Sequence, residues 1–469
     1  MDLQLSISGK RNLTRQIYGQ LRERILHGRL KPGERMPASR ELAEELAVAR
    51  KTITNVYDLL ISEGFLESRI GSGTFVVGEM RRRSEPKRTS IVISKHWDRL
   101  ARLANTPRRA VPFNFELGVP DLSQFPFPLW RSLLNSRARM LSTTRETYAG
   151  SQGYEPLREA IAKYTSFTRA VVCTANDVVV TNGAQQAFAL IAYVLIRPGT
   201  IVAVEHPGYD RAQRLFETHG ARTVEVPVDE EGLVVDRLPR QAKLIYVTPS
   251  HQFPLGVRMS LTRRLALLEW AAKHRAAVIE DDYDTEYRYA ARPLDSLQSL
   301  DRNGVVLYVG TFSKVLFPGI RIGFVVAPEP VRRALVAARQ LTDWHGPLLT
   351  QATLARFITD GHLARYIRKM RRVYAERRQT LLDSLEAELS DHLTPWPSVA
   401  GLHLAVSLTR KQSADRITSK AADLGVAVQS LGKHGLAMGY GAIGVQEIPE
   451  GIKRLRKAIA SVRSSREKY

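Results

Sequence analysis

Five times between residues 178 and 314, a short apolar run ends in a knot of polar and aromatic residues. Val178-Val179-Val180-Thr181 leads into Asn182-Gly183-Ala184-Gln185-Gln186, and Ile201 to Val204 leads to His206-Pro207-Gly208-Tyr209. Leu244 to Val247 leads to Pro249-Ser250-His251-Gln252, and Ala277 to Ile279 to Glu280-Asp281-Asp282-Tyr283-Asp284. Val305 to Val309 leads to Gly310-Thr311-Phe312-Ser313-Lys314. Strand patterns alternating with helical ones argue for an α/β fold with a mixed, mostly parallel sheet over residues 111–469. Ligands bind such sheets beyond the carboxyl ends of the strands, where these polar groups collect.

The collected groups meet the demands of pyridoxal 5′-phosphate (PLP). That cofactor needs a lysine for its Schiff base and an acid against its pyridinium nitrogen. Lys314 can supply the amine and Asp281 the acid, while Tyr283 can donate to the 3′ oxygen and Tyr209 can stack on the ring. Gly183 and Ala184 open a helix after a strand, a natural phosphate seat. Thr311, Ser313 and Arg321 can complete that seat, Arg321 through charge-assisted bonds. Taken singly, a lysine is ordinarily a surface residue, an aspartate after a strand a helix cap and a tyrosine part of the core; the ordered set is what carries the argument.

The N-terminal quarter reads differently. Ile17, Leu21 and Ile25 recur at helical spacing, and Gly28 with Leu30-Lys31-Pro32-Gly33-Glu34 stops that helix. Ser39 is placed to cap a second helix that turns Leu42 and Leu46 inward. A third helix is expected from Arg50 to Glu63, with Val56, Leu59 and Leu60 on its inner face, followed by two strands around Ile70-Gly71-Ser72-Gly73. Three helices and a hairpin make a winged helix-turn-helix, whose third helix enters the major groove of double-stranded DNA. Arg50, Lys51, Thr52 and Asn55 fall on its outer face: Arg can read guanine, Asn adenine, and Lys and Thr suit phosphates. Gly71, Ser72 and Gly73 form a slim wing tip. The module spans residues 10–78, and residues 79–110 form a basic linker with Arg81-Arg82-Arg83, in which Trp97, Leu100 and Leu103 face inward from a short helix.

Charge agrees with a polyanionic partner. The 469 residues carry +22 overall. Residues 1–110 hold 22 Lys and Arg against 12 Asp and Glu, a surplus of ten; the remaining three quarters hold 47 against 35. No apolar run is long enough for a membrane, Met1 to Lys10 lacks a signal-peptide core, and Cys173 is the single cysteine, with no Cys/His cluster to suggest a metal. A cytoplasmic protein, on the nucleoid through its DNA contacts, is expected.

Leu30 to Ala43, Gly64-Phe65-Leu66 and Gly71-Ser72-Gly73-Thr74-Phe75-Val76 resemble the GntR-type DNA-binding domain over about 65 residues. The resemblance implies DNA contacts at Arg40, Arg50, Thr52 and Gly71; Lys51 stands where other members often carry Thr or Arg. Gly310 to Gly323, Thr248-Pro249-Ser250-His251-Gln252-Phe253-Pro254 and Glu280-Asp281-Asp282-Tyr283-Asp284 resemble fold-type I aminotransferases over roughly residues 113–463, and more closely the MocR subgroup of GntR-like regulators. That resemblance implies PLP on Lys314, its pyridinium partner Asp281, the stacking Tyr209 and the phosphate-binding Arg321. Tyr148 matches a tyrosine that reaches the phosphate of the other subunit, which implies a homodimer.

One part of the family pattern thins out. Fold-type I enzymes place an arginine near the C-terminus for the substrate's α-carboxylate, whereas Gly435-Leu436-Ala437-Met438-Gly439-Tyr440-Gly441-Ala442 has none. Arg211, two residues past Tyr209, can serve a carboxylate or sulfonate instead. Three functions stay open on the sequence: a regulator answering to an amino-compound effector, a sensor of PLP itself acting on vitamin B6 genes, and a working aminotransferase with an attached DNA-binding module. Residual aminotransferase-type chemistry is compatible with each.

Overall fold

The computed structural model describes residues 3, 5–7, 9, 11–77, 91–104, 111–143, 150–289, 295–398, 400–409 and 412–464. The chain forms two compact units, Met1–Thr106 and Pro107–Tyr469. The linker's Arg81-Arg82-Arg83 and Tyr148 lie outside the described residues.

The first unit contains α1 (Leu13–Leu26), α2 (Ser39–Glu45), α3 (Arg50–Ser62), β1 (Leu66–Arg69), β2 (Gly73–Val76) and α4 (Lys95–Ala104). Helix α1 buries Ile17, Leu21 and Ile25, and α3 buries Ile53, Val56, Tyr57 and Leu60. The α3 set follows the i, i+3, i+4, i+7 rule for one helical face. Leu59 was expected inside and is 44% exposed, because it sits a quarter turn from Leu60, off that stripe. Tyr57 ties α3 to the entry of α2 by donating to the Pro37 carbonyl at 2.9 Å. The cap of α2 also differs from expectation. Ser39 is the first helical residue, Ala38 is the N-cap, and the Glu41 carboxylate accepts the Ala38 N–H at 3.1 Å. Strands β1 and β2 form an antiparallel hairpin pairing Leu66 with Val76 and Arg69 with Gly73. Helix α4 turns Trp97 outward at 58% exposure, against expectation. An Arg102–Asp98 pair at 3.0 Å supports this helix along its own surface.

The second unit begins with β3 (Phe113–Asn114), α5 (Phe127–Leu141), α6 (Glu155–Arg169), β4 (Val178–Thr181), α7 (Ala184–Leu195), β5 (Ile201–His206), α8 (Asp210–Thr218), β6 (Arg222–Asp229) and β7 (Gly232–Leu233). It continues through β8 (Leu244–Val247), α9 (Leu261–His274), β9 (Ala277–Asp282), β10 (Val306–Thr311), β11 (Gly323–Val326), α10 (Glu329–Thr342), α11 (Leu348–Thr359) and α12 (His362–Leu389). It closes with β12 (Leu393–Pro395), β13 (His403–Leu408), α13 (Ala414–Asp423), β14 (Val426–Ala427), β15 (Gln429–Ser430), β16 (Leu436–Gly439) and α14 (Ile448–Ser464).

The main sheet has the order β4-β11-β10-β9-β8-β5-β6-β7. Its centre, from β10 to β6, is parallel, while β11 and β7 run antiparallel to their neighbours. Every residue of β4, β8 and β10 is buried, so these strands read as unbroken apolar runs rather than alternating ones. A smaller antiparallel sheet, β12-β13-β16-β15, forms near the C-terminus. Strand β3 pairs in parallel with β14, and the Gly439 N–H donates to the Phe115 carbonyl at 2.8 Å. This lays the segment after β3 along β16. Among the described residues no helix is long and apolar enough to cross a membrane.

Candidate cofactor site

A cavity of about 1280 Å³ opens beyond the carboxyl ends of β5, β8, β9 and β10. Lys314, Asp281, Tyr283, Tyr209, Ala184, Thr311, Ser313, Arg321 and Arg211 all line it. Gly183 does not line it; it stands directly behind, as the N-cap of α7.

Lys314 follows β10, and its Nζ donates to the Gly118 carbonyl at 2.7 Å. Burial lowers its pKa, and the nearby carboxylate of Asp284 partly restores it. Gly118 has φ +66°, and a Cβ there would lie 2.7 Å from Nζ, so only glycine leaves the amine its place.

Asp281 is the penultimate residue of β9, 6% exposed. Its Oδ2 accepts the Tyr246 hydroxyl at 2.6 Å, while its Oδ1 is buried with no partner. Burial pushes its pKa up to about 7, against the Tyr246 hydrogen bond and reinforced by Asp282 and Asp284. An orphaned carboxylate oxygen facing a cavity is the acceptor that a protonated ring nitrogen requires.

The expected phosphate seat comprises two turns. Helix α7 starts at Ala184 with no side-chain cap, which leaves its first-turn amides free. Arg321 reaches across, donating to the Asn182 carbonyl at 2.8 Å. A Cβ on Gly183, where φ is +81°, would lie 3.0 Å from that guanidinium. The Ser313 Oγ is buried without a partner, and the Ser313 N–H donates to Thr311 Oγ1 at 3.2 Å. An anion with several oxygens satisfies all of these donors at once.

Aromatic groups wall the cavity. Phe253 stands edge-on to Tyr209, with centroids 5.5 Å apart, and to Tyr283, at 6.0 Å. The Tyr283 hydroxyl lies 3.0 Å from the His251 carbonyl and 3.1 Å from His251 Nδ1. Burial, then Asp284 and Asp281, hold its pKa well above the usual phenol value, so it stays protonated. His251, Asp284 and His403 place nitrogen and oxygen atoms within 4.8 Å of one another. Protein partners already engage them: His251 Nδ1 with Asp284 Oδ1 at 2.9 Å, His251 Nε2 with Ser398 Oγ at 3.2 Å, and His403 Nε2 with the Pro254 carbonyl at 3.1 Å. Burial and the neighbouring His251 ring push His403 down to about 4.

No residue from 435 to 442 lines the cavity; Glu116 to Val119 do so, alongside β16. Ala437 and Met438 are fully buried. Besides Lys314 and Arg321, the Lys and Arg side chains that line the cavity among the described residues are Arg211, Arg214 and Lys433.

Sequence reasoning gave no role to Gly118, Tyr246, Phe253, His251 or Asp284. Tyr246 sits in an apolar strand and reads as core; Gly118 lies 196 residues from Lys314, and no local pattern joins them.

In the first unit, Arg40, Arg50, Lys51, Asn55, Gly71 and Ser72 are exposed and Thr52 is half-buried. Arg50 Nε lies 3.4 Å from Ser39 Oγ, which joins the beginnings of α3 and α2.

Comparison with known proteins accounts for both units. Residues 113–463 match the family of aminotransferases of class I and II, and residues 13–76 match the bacterial regulatory proteins of the gntR family. The probable rhizopine catabolism regulatory protein MocR of Rhizobium meliloti is 38% identical, over 96% of this chain and 94% of its own. The chain belongs to the MocR-type GntR regulators. A further relative of this MocR-type chain, the pyridoxine biosynthesis transcriptional regulator PdxR of Corynebacterium glutamicum, is 32% identical over 91% of each. Among solved structures, kynurenine aminotransferase of Pyrococcus horikoshii, in complex with PMP, superposes with a TM-score of 0.70 at 29% identity. It covers 81% of the MocR-type chain and 97% of its own. The α-aminoadipate aminotransferase LysN of Thermus thermophilus, complexed with a phosphopyridoxyl-leucine, gives 0.71 at 28%, over 79% and 98%. The cofactor of the MocR-type chain is PLP, and the free Asp281 Oδ1, the free Ser313 Oγ and the Gly183–Arg321 seat fit it.

Proposed function

We propose that this regulator binds operator DNA through its winged helix-turn-helix and that an amino-compound effector, entering the PLP cavity at Lys314, changes that binding. The observation that carries the reading is the union, in one cavity, of a lysine amine with a pKa lowered by burial and a buried carboxylate with one oxygen free. Bound PLP supplies a carbonyl carbon that exchanges amines and a ring that withdraws electrons. The chain's residues do the rest. Asp281 holds the ring-nitrogen proton at Oδ1, and Arg321, Ser313, Thr311 and the start of α7, with Gly183 and Ala184, hold the phosphate. Tyr209 covers the ring, and Tyr283 faces the 3′ oxygen. Lys314 would hold the cofactor through its amine, at the place an effector amine would contend for. Arg211, exposed at the mouth, binds an anionic group of the effector, a role that the region from 435 to 442 leaves open. On the DNA side, Arg40, Arg50, Lys51, Thr52 and Asn55 contact the major groove and its phosphates, and Gly71 and Ser72 approach the backbone from the wing.

An effector shifts DNA binding only by its differential affinity for two states of the protein. A homodimer fits a two-fold operator, and such a protein works in the cytoplasm. A second reading, a sensor of PLP itself, draws support from the missing carboxylate arginine and from the relative named for pyridoxine biosynthesis.

The test is a titration of PLP-loaded protein with a panel of amines, reading the cofactor's absorption and operator binding together. An amine that shifts both supports the effector reading. Sensitivity of DNA binding to PLP alone supports the sensor, and steady turnover with an oxo-acid acceptor would make the chain an enzyme.

A further inference from the structure

Behind Tyr283 lies a buried chain of groups that cofactor binding does not itself use. His251 and Asp284 are each 1% exposed. Asp284 Oδ1 meets His251 Nδ1 at 2.9 Å, and its Oδ2 accepts the Leu402 N–H at 3.1 Å. A carboxylate only accepts, so the hydrogen of the His251 ring sits on Nδ1, and Nε2 lies 3.2 Å from Ser398 Oγ, whose one hydrogen it shares with the Ala400 carbonyl, also at 3.2 Å. The same Nδ1 lies 3.1 Å from the Tyr283 hydroxyl. With its hydrogen directed at Asp284 and the phenol beside it, Nδ1 cannot take the phenolic hydrogen. That hydrogen therefore goes to the His251 carbonyl at 3.0 Å or turns into the cavity. The one Nδ1 hydrogen lies between Asp284 Oδ1 at 2.9 Å and the Tyr283 oxygen at 3.1 Å, a three-centre contact in which the carboxylate sets how much of the hydrogen the phenol receives. The strength of such a donor is set by the group behind it.

We propose that His251, oriented by Asp284 and Ser398, is a positioning residue for Tyr283: it fixes the phenol at the cofactor's 3′-oxygen edge and sets how strongly it donates there. The inference rests on the reading that Tyr283 faces the 3′ oxygen. Donation to that oxygen favours the deprotonated cofactor, so a weaker donor raises the pH at which the bound cofactor loses its proton. The other ionisable groups facing the pair are Asp281, Glu205 and Asp282, whose charges raise the Tyr283 phenol, His403, whose ring centroid is 4.8 Å from that of His251, Lys314, which feels the charge of Asp284, and Arg378, which donates to the Ser398 carbonyl. None of them contacts the phenol in place of His251, so their effect is a common background.

The experiment is a pH titration of the visible absorption of full-length, PLP-loaded protein for wild type, Tyr283→Phe, His251→Ala, His251→Asn and the Tyr283→Phe/His251→Ala double variant. Tyr283→Phe should raise the midpoint by about one pH unit, and His251→Ala should move it in the same direction by about half a unit or more. His251→Asn, which keeps a side-chain N–H near Nδ1, should recover part of the shift. It also keeps the test alive if the alanine variant does not fold. The double variant should shift no further than Tyr283→Phe alone, because the histidine acts through the phenol. A normal midpoint in both His251 variants, with Tyr283→Phe shifted, overturns the inference and leaves the placement of Tyr283 intact. A normal midpoint in Tyr283→Phe overturns that placement, and the inference falls with it.

Discussion

The Tyr246 hydroxyl donates to Asp281 Oδ2 at 2.6 Å, and Asp281 Oδ1 stays buried without a partner. One oxygen is thus committed to the protein and the other reserved for a ligand. Removing the committed bond in Tyr246→Phe raises the Asp281 pKa further and leaves both oxygens underbound in the empty site. A hydrogen bond to a charged group is worth roughly 1.5–3 kcal/mol, so PLP should bind on the order of 10–100-fold more weakly. Equilibrium dialysis of the cofactor checks this.

Asp281 also makes the cofactor-free protein sensitive to pH. Its folded pKa is about 7, above the usual 3.8. The folded state therefore holds a proton that the unfolded chain has already lost, and stability falls as pH rises from about 4 to 7. Asp281→Asn removes this penalty. Cofactor-free Asp281→Asn should be more stable than wild type at pH 8, by on the order of 4 kcal/mol, and equal to it below pH 4. Glu280 and Glu286, likewise raised to about 7 by burial, are common to both proteins, while Glu205, raised in part by the charge of Asp281, eases in the variant and adds to the gain. Denaturant unfolding at the two pH values reads the difference, and an equal gap at both pH values contradicts it.

Gly118→Ala places a methyl where the Lys314 amine rests. The fold should survive at a cost of roughly 1–2 kcal/mol for the left-handed backbone. Cofactor loading should fall at least about ten-fold, because Nζ has to leave its seat. Loading followed by absorbance, with thermal unfolding as the control for folding, separates the two effects.

Much of this site is legible in sequence because its parts follow strand ends. Lys314, Asp281 and Tyr283 each stand next to the apolar run that delivers them, and those runs are the strands β10 and β9. Tyr246 and Gly118 are not legible in this way: the first points from a fully buried strand, and the second meets Lys314 only through the pairing of β3 with β14. In the first unit, Ile17, Leu21 and Ile25 announce α1 by their spacing. Leu59 misleads, since it falls outside the stripe that Ile53, Val56, Tyr57 and Leu60 form at i, i+3, i+4 and i+7. Ser39 misleads because the cap is closed by Glu41 reaching back, one residue earlier. Trp97 is apolar yet 58% exposed on α4, and nothing in the helix itself explains it.

These differences yield a test of the DNA-binding module. Leu60→Ala should destabilise it by about 2–4 kcal/mol, while Leu59→Ser should change its stability by less than about 0.5 kcal/mol. Arg50→Ala should leave stability unchanged and cost about 1–3 kcal/mol of specific operator binding if it reads a base. Thermal unfolding and fluorescence anisotropy with operator DNA separate packing from recognition.

Arg211→Ala should leave PLP binding intact and raise the concentration of an anionic effector needed for a response by about ten-fold or more, since a charge-assisted bond is lost. Arg211→Lys should recover only part, because the forked geometry is gone. Spectral titration with the effector gives both values.

The most direct measurement is a visible absorption spectrum of the purified protein with PLP, before and after borohydride, followed by mapping of the modified peptide. The account predicts a band in the visible or near-ultraviolet that reduction abolishes, with the cofactor fixed to the peptide carrying Lys314. No band after PLP addition, or a label on a different lysine, would contradict it.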